Sequence, residues 1–442
     1  MHLFCYTPRM KKVLRLMVLL TALTPIVVAP SVLSPFLSGK TLFIRAIVAL
    51  IALLSVVYYL VNDEFQSRII ERSKEIVRNP LAQSIVLLFV VMGITTVLAF
   101  RKEIAFTSDA VRQEGYVGIL SVGILSFFYV LLLKHKDWQR YFILSIISSF
   151  ILLCVEFFQA VKGMRRPEAL IGNSIFLATH YLFSLFCIGV LIVKNRFMRT
   201  ARERAIVYCM AVLAVLVFFG ILLTKSRGVL VGLFIGMIIA SIYAYRVGGN
   251  LVLIGKKITV KKIAGVLMVA LLVFSGLLVL TRESALWKNI PGINRIVAIG
   301  SQDATTQSRL VMARATYQAF LQEPVKQKLF GWGQDNFIFA WNKYYTPDLF
   351  SFDSGLFDRA HNKLLDMLIM HGIIGLLSYL FLWVMAFLAV VKLRVGYGIR
   401  TMVLLFLVSY FIANLFAFDT LVTYINFFAV LAFIMSYDVR HA

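Results

Sequence analysis

The sequence predicts an all-α polytopic membrane protein of about twelve transmembrane helices, with one large, partly helical loop between two late spans. Three observations carry this. The 442 residues are 60% hydrophobic and only 15% charged, too apolar for an ordinary soluble domain. The apolar residues gather into runs close to the roughly 20 residues that a helix needs to cross a bilayer. Lys and Arg collect in alternate connections between those runs, the pattern of positive loops kept on the cytoplasmic side.

The runs fall near residues 13–34, 41–61, 81–100, 118–133, 141–161, 170–193, 205–223, 228–245, 262–281, 363–391, 401–417 and 421–436. The first follows a basic patch (Arg9, Lys11, Lys12, Arg15) and contains Pro25 and Pro30. It has no convincing small-residue cleavage site and reads as an uncleaved first span. An even number of spans returns both termini to one side. That side collects Arg68, Arg72, Lys74 and Arg78, then Lys134, Lys136 and Arg140, then Lys194, Arg196, Arg199, Arg202 and Arg204. It also collects Arg246, Lys256, Lys257, Lys261 and Lys262, and finally Lys392, Arg394 and Arg400, so both termini are expected in the cytoplasm. The other side has short connections and one long one, about 282–360. The chain reads as a single integral domain over 1–442, without an internal repeat.

A net charge of +24 could serve nucleic acid, but its distribution follows topology, so membrane lipids are the expected partners and nucleic acid is not. Cys5, Cys154, Cys187 and Cys209 form neither a CxxC pair nor a disulfide framework, so no metal or redox cofactor is expected. In the long connection, Leu310, Ala313, Tyr317, Phe320 and Leu321 recur at near-helical spacing over 306–322. Pro291-Gly292 and Gly331-Trp332-Gly333 mark turns. The aromatic content points to an ordered cap on the non-cytoplasmic face.

The chemistry-bearing residues cluster on that same face. His361-Asn362 stands where the long connection meets the next span, and an ionisable pair there is costly without a role or a partner. An imidazole titrates near 6.5 and can take a proton from a hydroxyl; it can equally be a histidine hydrogen-bonded at a helix start. Asp366 lies four residues after Asn362, on one helical face. Gly372 and Gly375 admit close approach of a neighbouring backbone. His371 and His180 read as core histidines. Thr224-Lys225-Ser226-Arg227-Gly228 joins two spans in a tight turn. There Lys225 snorkels to headgroups, and Arg227 either does the same or forks onto an anionic ligand. Arg309 and Arg314 are five residues apart in a helical stretch, so only one of them can face a site. Glu156 within a span needs a buried partner. Arg165 and Arg166 form a further basic stretch.

His361-Asn362, nine residues, then Gly372-Ile373-Ile374-Gly375 resembles the signature of bacterial O-antigen ligases: His, then Asn, Ser or Gln, nine residues, Gly, two residues, then Gly, Thr or Tyr. Thr224-Lys225-Ser226-Arg227-Gly228 is similar to the family's Ser-Arg-Gly turn. Ser308-Arg309, Pro324 and Phe330-Gly331-Trp332-Gly333 resemble its large periplasmic loop. The resemblance implies a membrane-embedded, GT-C-type glycosyltransferase architecture. It implies transfer of a glycan from undecaprenyl diphosphate to lipid A–core oligosaccharide at the periplasmic face of the Gram-negative inner membrane, without metal and with inversion. His361 would be the catalytic base; Arg227 and Arg309, with Arg314 and Asn362 as further candidates, would bind substrate. O-antigen polymerases and protein O-oligosaccharyltransferases share the layout, and a lipid or solute transporter is a more distant alternative.

Overall fold

A bilayer offers backbone N–H and C=O groups no partner except within a helix or closed barrel, so apolar runs of this length fold as helices. The computed structural model describes residues 7–194, 200–253, 256–298, 304–345 and 357–438. In chain order its helices begin with α1 (Thr7–Leu20), α2 (Ser38–Val61), α3 (Asp63–Arg78), α4 (Pro80–Val97), α5 (Lys102–Thr107) and α6 (Tyr116–Leu132). They continue with α7 (His135–Val161), α8 (Ser174–Lys194), α9 (Ala201–Leu223), α10 (Arg227–Val247) and α11 (Val260–Leu280). The long connection holds α12 (Ala285–Asn289), α13 (Ile293–Val297), α14 (Ala304–Gln322), α15 (Val325–Phe330) and α16 (Phe337–Tyr344). Positions 299–303 and 346–356 of that connection lie outside the described residues. The chain closes with α17 (Lys363–Lys392), α18 (Tyr397–Asn414) and α19 (Leu421–Asp438).

Among the described residues, nine helices are long and apolar enough to cross a membrane: α2, α4, α7 to α11, α17 and α18. Two more apolar helices, α6 and α19, are shorter. The expected first span does not form one continuous helix. It stops at Leu20 and tightens into a 3-10 turn over Thr21–Ile26. Pro25 supplies no N–H, and the Thr21 and Thr24 hydroxyls donate back to the carbonyls of Val18 (2.6 Å) and Thr21 (2.7 Å). The chain also departs from all-α at a short antiparallel hairpin, Asn250–Leu253 with Lys256–Thr259, in which Leu251 faces Ile258.

Helix α3 is a feature that the hydropathy pattern missed. It is a charged, amphipathic helix capped by Asn62, whose side chain accepts the Phe65 N–H at 2.7 Å. Helix α19 runs through the middle of the bundle and is buried over most of its length. It packs mainly on α6, while α17 packs on α4 and α10 on α18. The α10–α18 contact is close because Gly232 and Gly236 present no side chain to Ser409 and Leu405. Helix α11 packs chiefly on α10 and otherwise exposes apolar residues, as a lipid-facing helix must. His180 and Glu156 each find hydrogen-bond partners inside the bundle. The His180 ring lies 3.0 Å from both Ser149 and Asn426, and Glu156 accepts the Tyr181 hydroxyl at 2.8 Å.

Helix α17 sets the geometry of the candidate site. Asn362 caps it, its Oδ1 accepting the N–H groups of Leu364 (3.0 Å) and Leu365 (3.2 Å). Ten residues on, Gly372 leaves helical conformation, with φ 65° and ψ −169°. The break exposes the carbonyls of Ile369 and Met370, and the long connection supplies their donors: Trp332 N–H at 2.9 Å and Gly333 N–H at 2.8 Å. Gly331 and Gly372 face each other's backbones so closely that a Cβ on either would collide with main-chain atoms. The expected close approach therefore occurs at Gly372, and it comes with a helix break that was not anticipated. A Cβ on Gly375 would instead meet the His371 side chain on its own helix.

Candidate active site

Five separate segments meet at one end of the bundle around a cavity of about 290 Å³. The α9–α10 turn brings Lys225, Ser226 and Arg227. This turn is held by the Ser226 hydroxyl, which donates to the Ser174 carbonyl at 3.1 Å, and by Lys225 in left-handed conformation, φ 55°. The end of α18 contributes Ala413 and the following Leu415, Phe416 and Ala417. From the long connection come Arg295, Thr306 and Arg309; from the α7–α8 loop, Arg166; and from the turn before α17, Ala360, His361 and Asn362. No carboxylate is among these described lining residues. Burial and the neighbouring charges of Arg295 and Arg227 all depress the affinity of Arg166 for its proton, a sign of how closely the cations crowd.

His361 sits in a left-handed turn, φ 49°. Two neighbours fix its main chain: Asn362 as the helix cap and Asp366, whose Oδ1 accepts the Ala360 N–H at 2.7 Å. The imidazole lies between two rings, edge-on to Phe357 (centroids 5.9 Å apart, 89°) and tilted over Phe418 (5.3 Å, 31°). Burial pushes its pKa down to about 4; Arg309, Arg112 and Arg359 push the same way, and Asp358 opposes them. At neutral pH the ring is therefore uncharged, the form that a base requires.

A buried ionic layer supports this turn. Arg359 pairs with Asp335 at 2.5 Å, and Arg112 pairs with Asp358 at 2.6 Å. Burial alone would raise the Asp358 carboxyl, but Arg359 and Arg112 outweigh it and hold it below the usual carboxylate value. Lys363, the first residue of α17, reaches Asp419 at 3.3 Å and the Tyr424 hydroxyl. Breaking one partner of a pair as buried as Arg359–Asp335 or Lys363–Asp419 costs about 3–5 kcal/mol, whereas Asp358 is partly exposed and its pair contributes less.

The structure brings Arg227, Arg309, His361 and Asn362 to one cavity. Arg314 does not belong there. Five residues turn an α-helix by about 140° beyond one full turn, and Arg314 is exposed and does not line the cavity. Asn362, read as a further substrate-binding candidate, lines the cavity, and its carbonyl oxygen caps α17. Lys225, read as snorkelling, also lines the cavity. Arg295 was missed because a lone arginine in a five-residue helix gives no periodic signal. Arg112, Arg359, Asp335 and Phe418 were missed for the same reason, since their pairing depends on tertiary contact alone. His371, read as a core histidine, is one: its Nδ1 lies 2.6 Å from the Thr95 hydroxyl and its Nε2 3.0 Å from Gln334.

Residues 211–380 match the family model described as O-antigen ligase. The matched segment contains Arg227, Arg309, the Gly331-Trp332-Gly333 crossing and the whole stretch from His361 to Gly375. Arg112, Arg166 and Phe418 fall outside it. A search of curated proteins found no match. Through residues 211–380, the chain is similar to the O-antigen ligase superfamily.

Proposed function

We propose that the chain is an O-antigen ligase that transfers a glycan from undecaprenyl diphosphate to a hydroxyl of lipid A–core oligosaccharide. The observation that supports this most is the meeting of His361 with Arg227 and Arg309 at one cavity, from segments far apart in sequence. His361 takes the proton of the acceptor hydroxyl. The hydroxyl oxygen forms its bond to the anomeric carbon on the face opposite the diphosphate, and the carbon–oxygen bond to the diphosphate breaks with inversion. The electron pair leaves with undecaprenyl diphosphate, which gains one negative charge. Arg227 and Arg309 stand where preorganised cations stabilise that charge without a metal. Bound diphosphate also offsets the arginines that depress the imidazole, so donor binding raises the basicity of His361 when it is needed.

The topology adopted with this reading has twelve crossings. The nine long apolar helices and the two shorter ones account for eleven, and α1 with its 3-10 turn makes the twelfth. Both termini are then cytoplasmic and the cavity opens on the periplasmic side of the inner membrane, in agreement with the basic connections at the opposite end.

The test is His361→Ala expressed in a host without its own ligase, with glycan-capped lipopolysaccharide read on a gel. Loss of capping is expected, with in vitro rates falling by roughly 10²–10⁴-fold; full capping would overturn the base assignment. The unprotonated ring is the active form, so the rate falls as pH drops through its pKa. For the free enzyme, kcat/KM for donor should lose activity near pH 4, and kcat at a higher pH. Incubation of purified protein with lipid-linked glycan and core acceptor separates ligase from polymerase: longer lipid-linked chains without transfer to core would reject the ligase reading.

A further inference from the structure

A histidine base is ordinarily oriented by a carboxylate or carbonyl on its second nitrogen. Here, among the described residues, no group hydrogen-bonds the His361 imidazole, although two carboxylates lie close. Asp358 is turned to Arg112 at 2.6 Å, and Asp366 to the Ala360 N–H at 2.7 Å. What the ring does touch is aromatic. We infer that Phe418, in the connection between α18 and α19, is the positioning residue that orients the His361 ring and keeps water from it. This rests on the reading of His361 as the base.

The placement of Phe418 is over-determined. It is buried, and its ring packs against Phe176 edge-on with centroids 5.3 Å apart. The Arg112 guanidinium lies 4.9 Å from the same ring and that of Arg359 5.7 Å. Each of those arginines is pinned in turn, Arg112 by Asp358 and Arg359 by Asp335. The connection that carries Phe418 is held at its ends: Glu114 accepts the Leu421 N–H at 2.7 Å, and Asp419 takes the Lys363 ammonium and the Tyr410 hydroxyl. A side chain fixed from several directions can fix another. His361 itself lies in a left-handed turn, so its ring would otherwise swing about its χ angles in a cavity that must also admit a sugar. The tilted contact with Phe418 and the edge contact with Phe357 remove that freedom. They also leave both ring nitrogens available, one for the acceptor proton and the other for substrate.

The same contact explains a division within the site. The cations that would bind the donor come from α10, α14 and their connections, inside the family-matched segment. The aromatic support for the base comes from after α18, outside it. Donor binding and base orientation are thus carried by different parts of the chain and are separable by mutation.

The experiment uses purified full-length protein in nanodiscs. Undecaprenyl-diphosphate-linked glycan isolated from a ligase-deficient strain serves as donor, core oligosaccharide lipid as acceptor, and release of undecaprenyl diphosphate is followed. Phe418→Leu keeps the position apolar and removes the ring. It is expected to lower kcat by about tenfold or more, because misplacing a reacting group by an ångström costs up to about 10²-fold. KM for donor should stay within about twofold. Admission of water should move the acid limb of the pH profile upward, toward the unperturbed imidazole value near 6.5. Phe418→Tyr keeps the ring and should restore most of kcat and the wild-type pH profile. A wild-type kcat and pH profile in Phe418→Leu would overturn the proposal. So would equal losses in the Leu and Tyr variants, or a loss confined to KM for donor. His361→Ala run in parallel distinguishes the failures. If it stays active, the base assignment falls; if it is inactive while Phe418→Leu behaves as wild type, only the role of Phe418 falls.

Discussion

The molecule has a basic cavity at each end of its bundle, and the two differ little in size: about 290 Å³ around His361 and about 320 Å³ around Lys11, Arg15, Arg68, Arg72 and Lys134. What their cations do is different. At the second end, Arg72 donates to the carbonyls of Val130 (2.9 Å) and Leu131 (2.8 Å), and Arg15 to that of Leu132 (3.2 Å). They close the end of α6, where the helix dipole favours positive charge. Glu64 and Asp137 take up Arg68 and Arg15, and Glu71 and Glu75 stand on the cavity wall. Those cations belong to the architecture and to the positive-inside pattern. At the first end, the described wall has arginines from several elements, no carboxylate and a neutral imidazole. A basic cavity is therefore not a site by virtue of its charge. The combination of cations with a neutral imidazole sets this one apart.

The largest expected effect tests that distinction. Arg227→Ala and Arg309→Ala should each lower turnover by roughly 10²–10³-fold, the scale of removing one group that stabilises developing charge. Arg314→Ala, outside the cavity, should stay within about twofold, as should Arg68→Ala and Lys134→Ala at the far cavity, since exposed charges contribute about 0–1 kcal/mol. Initial rates with purified variants decide it. Similar losses at both ends would mean that the first cavity acts only as a diffuse positive field.

A smaller effect separates the two histidines of the motif. His371 is buried and bridges Thr95 on α4 to Gln334 in the long connection. Removing the ring leaves both partners unmade, about 1–3 kcal/mol for each buried group stranded. His371→Ala should lower the thermal midpoint in detergent while leaving the rate per folded molecule within a fewfold of wild type. His361→Ala should do the reverse. If His371→Ala abolished turnover without changing the midpoint, the chemistry would not be confined to the start of α17.

The contrast also shows what the sequence could reveal. Hydropathy and basic connections located the spans because lipid imposes a length and a composition on each one. The first span was located, but its break into a helix and a 3-10 turn that contains Pro25 was not read; α3 escaped because its polar face hides its helicity from a hydropathy window. The motif was legible for a physical reason that its spacing conceals: the nine residues between Asn362 and Gly372 are one short helical segment, from its cap to its break. What could not be read was anything assembled across the fold. Arg112, Arg295, Arg359 and Phe418 carry no periodic pattern, and they acquire meaning only where α6, α17, α18 and the long connection converge. Arg314 shows the converse: charge and proximity in sequence suggested a role that the turn of a helix removes.

The finest distinction concerns Asn362, which lines the cavity and also caps α17. A cap and a ligand contact make different demands on the side chain. Ser caps about as well as Asn, while Ala does not, and losing a cap costs about 1 kcal/mol. If capping is its work, Asn362→Ser should keep the thermal midpoint, kcat and KM. Asn362→Ala should lose a few degrees and some kcat, because fraying the first turn of α17 loosens the turn that carries His361. If the amide instead binds sugar, Ser should be no better than Ala, and the loss should appear in KM for donor or acceptor with the midpoint unchanged. The capping geometry favours the first outcome: Oδ1 already holds two backbone donors, and the residue that follows His361 is then also the one that fixes where its helix begins.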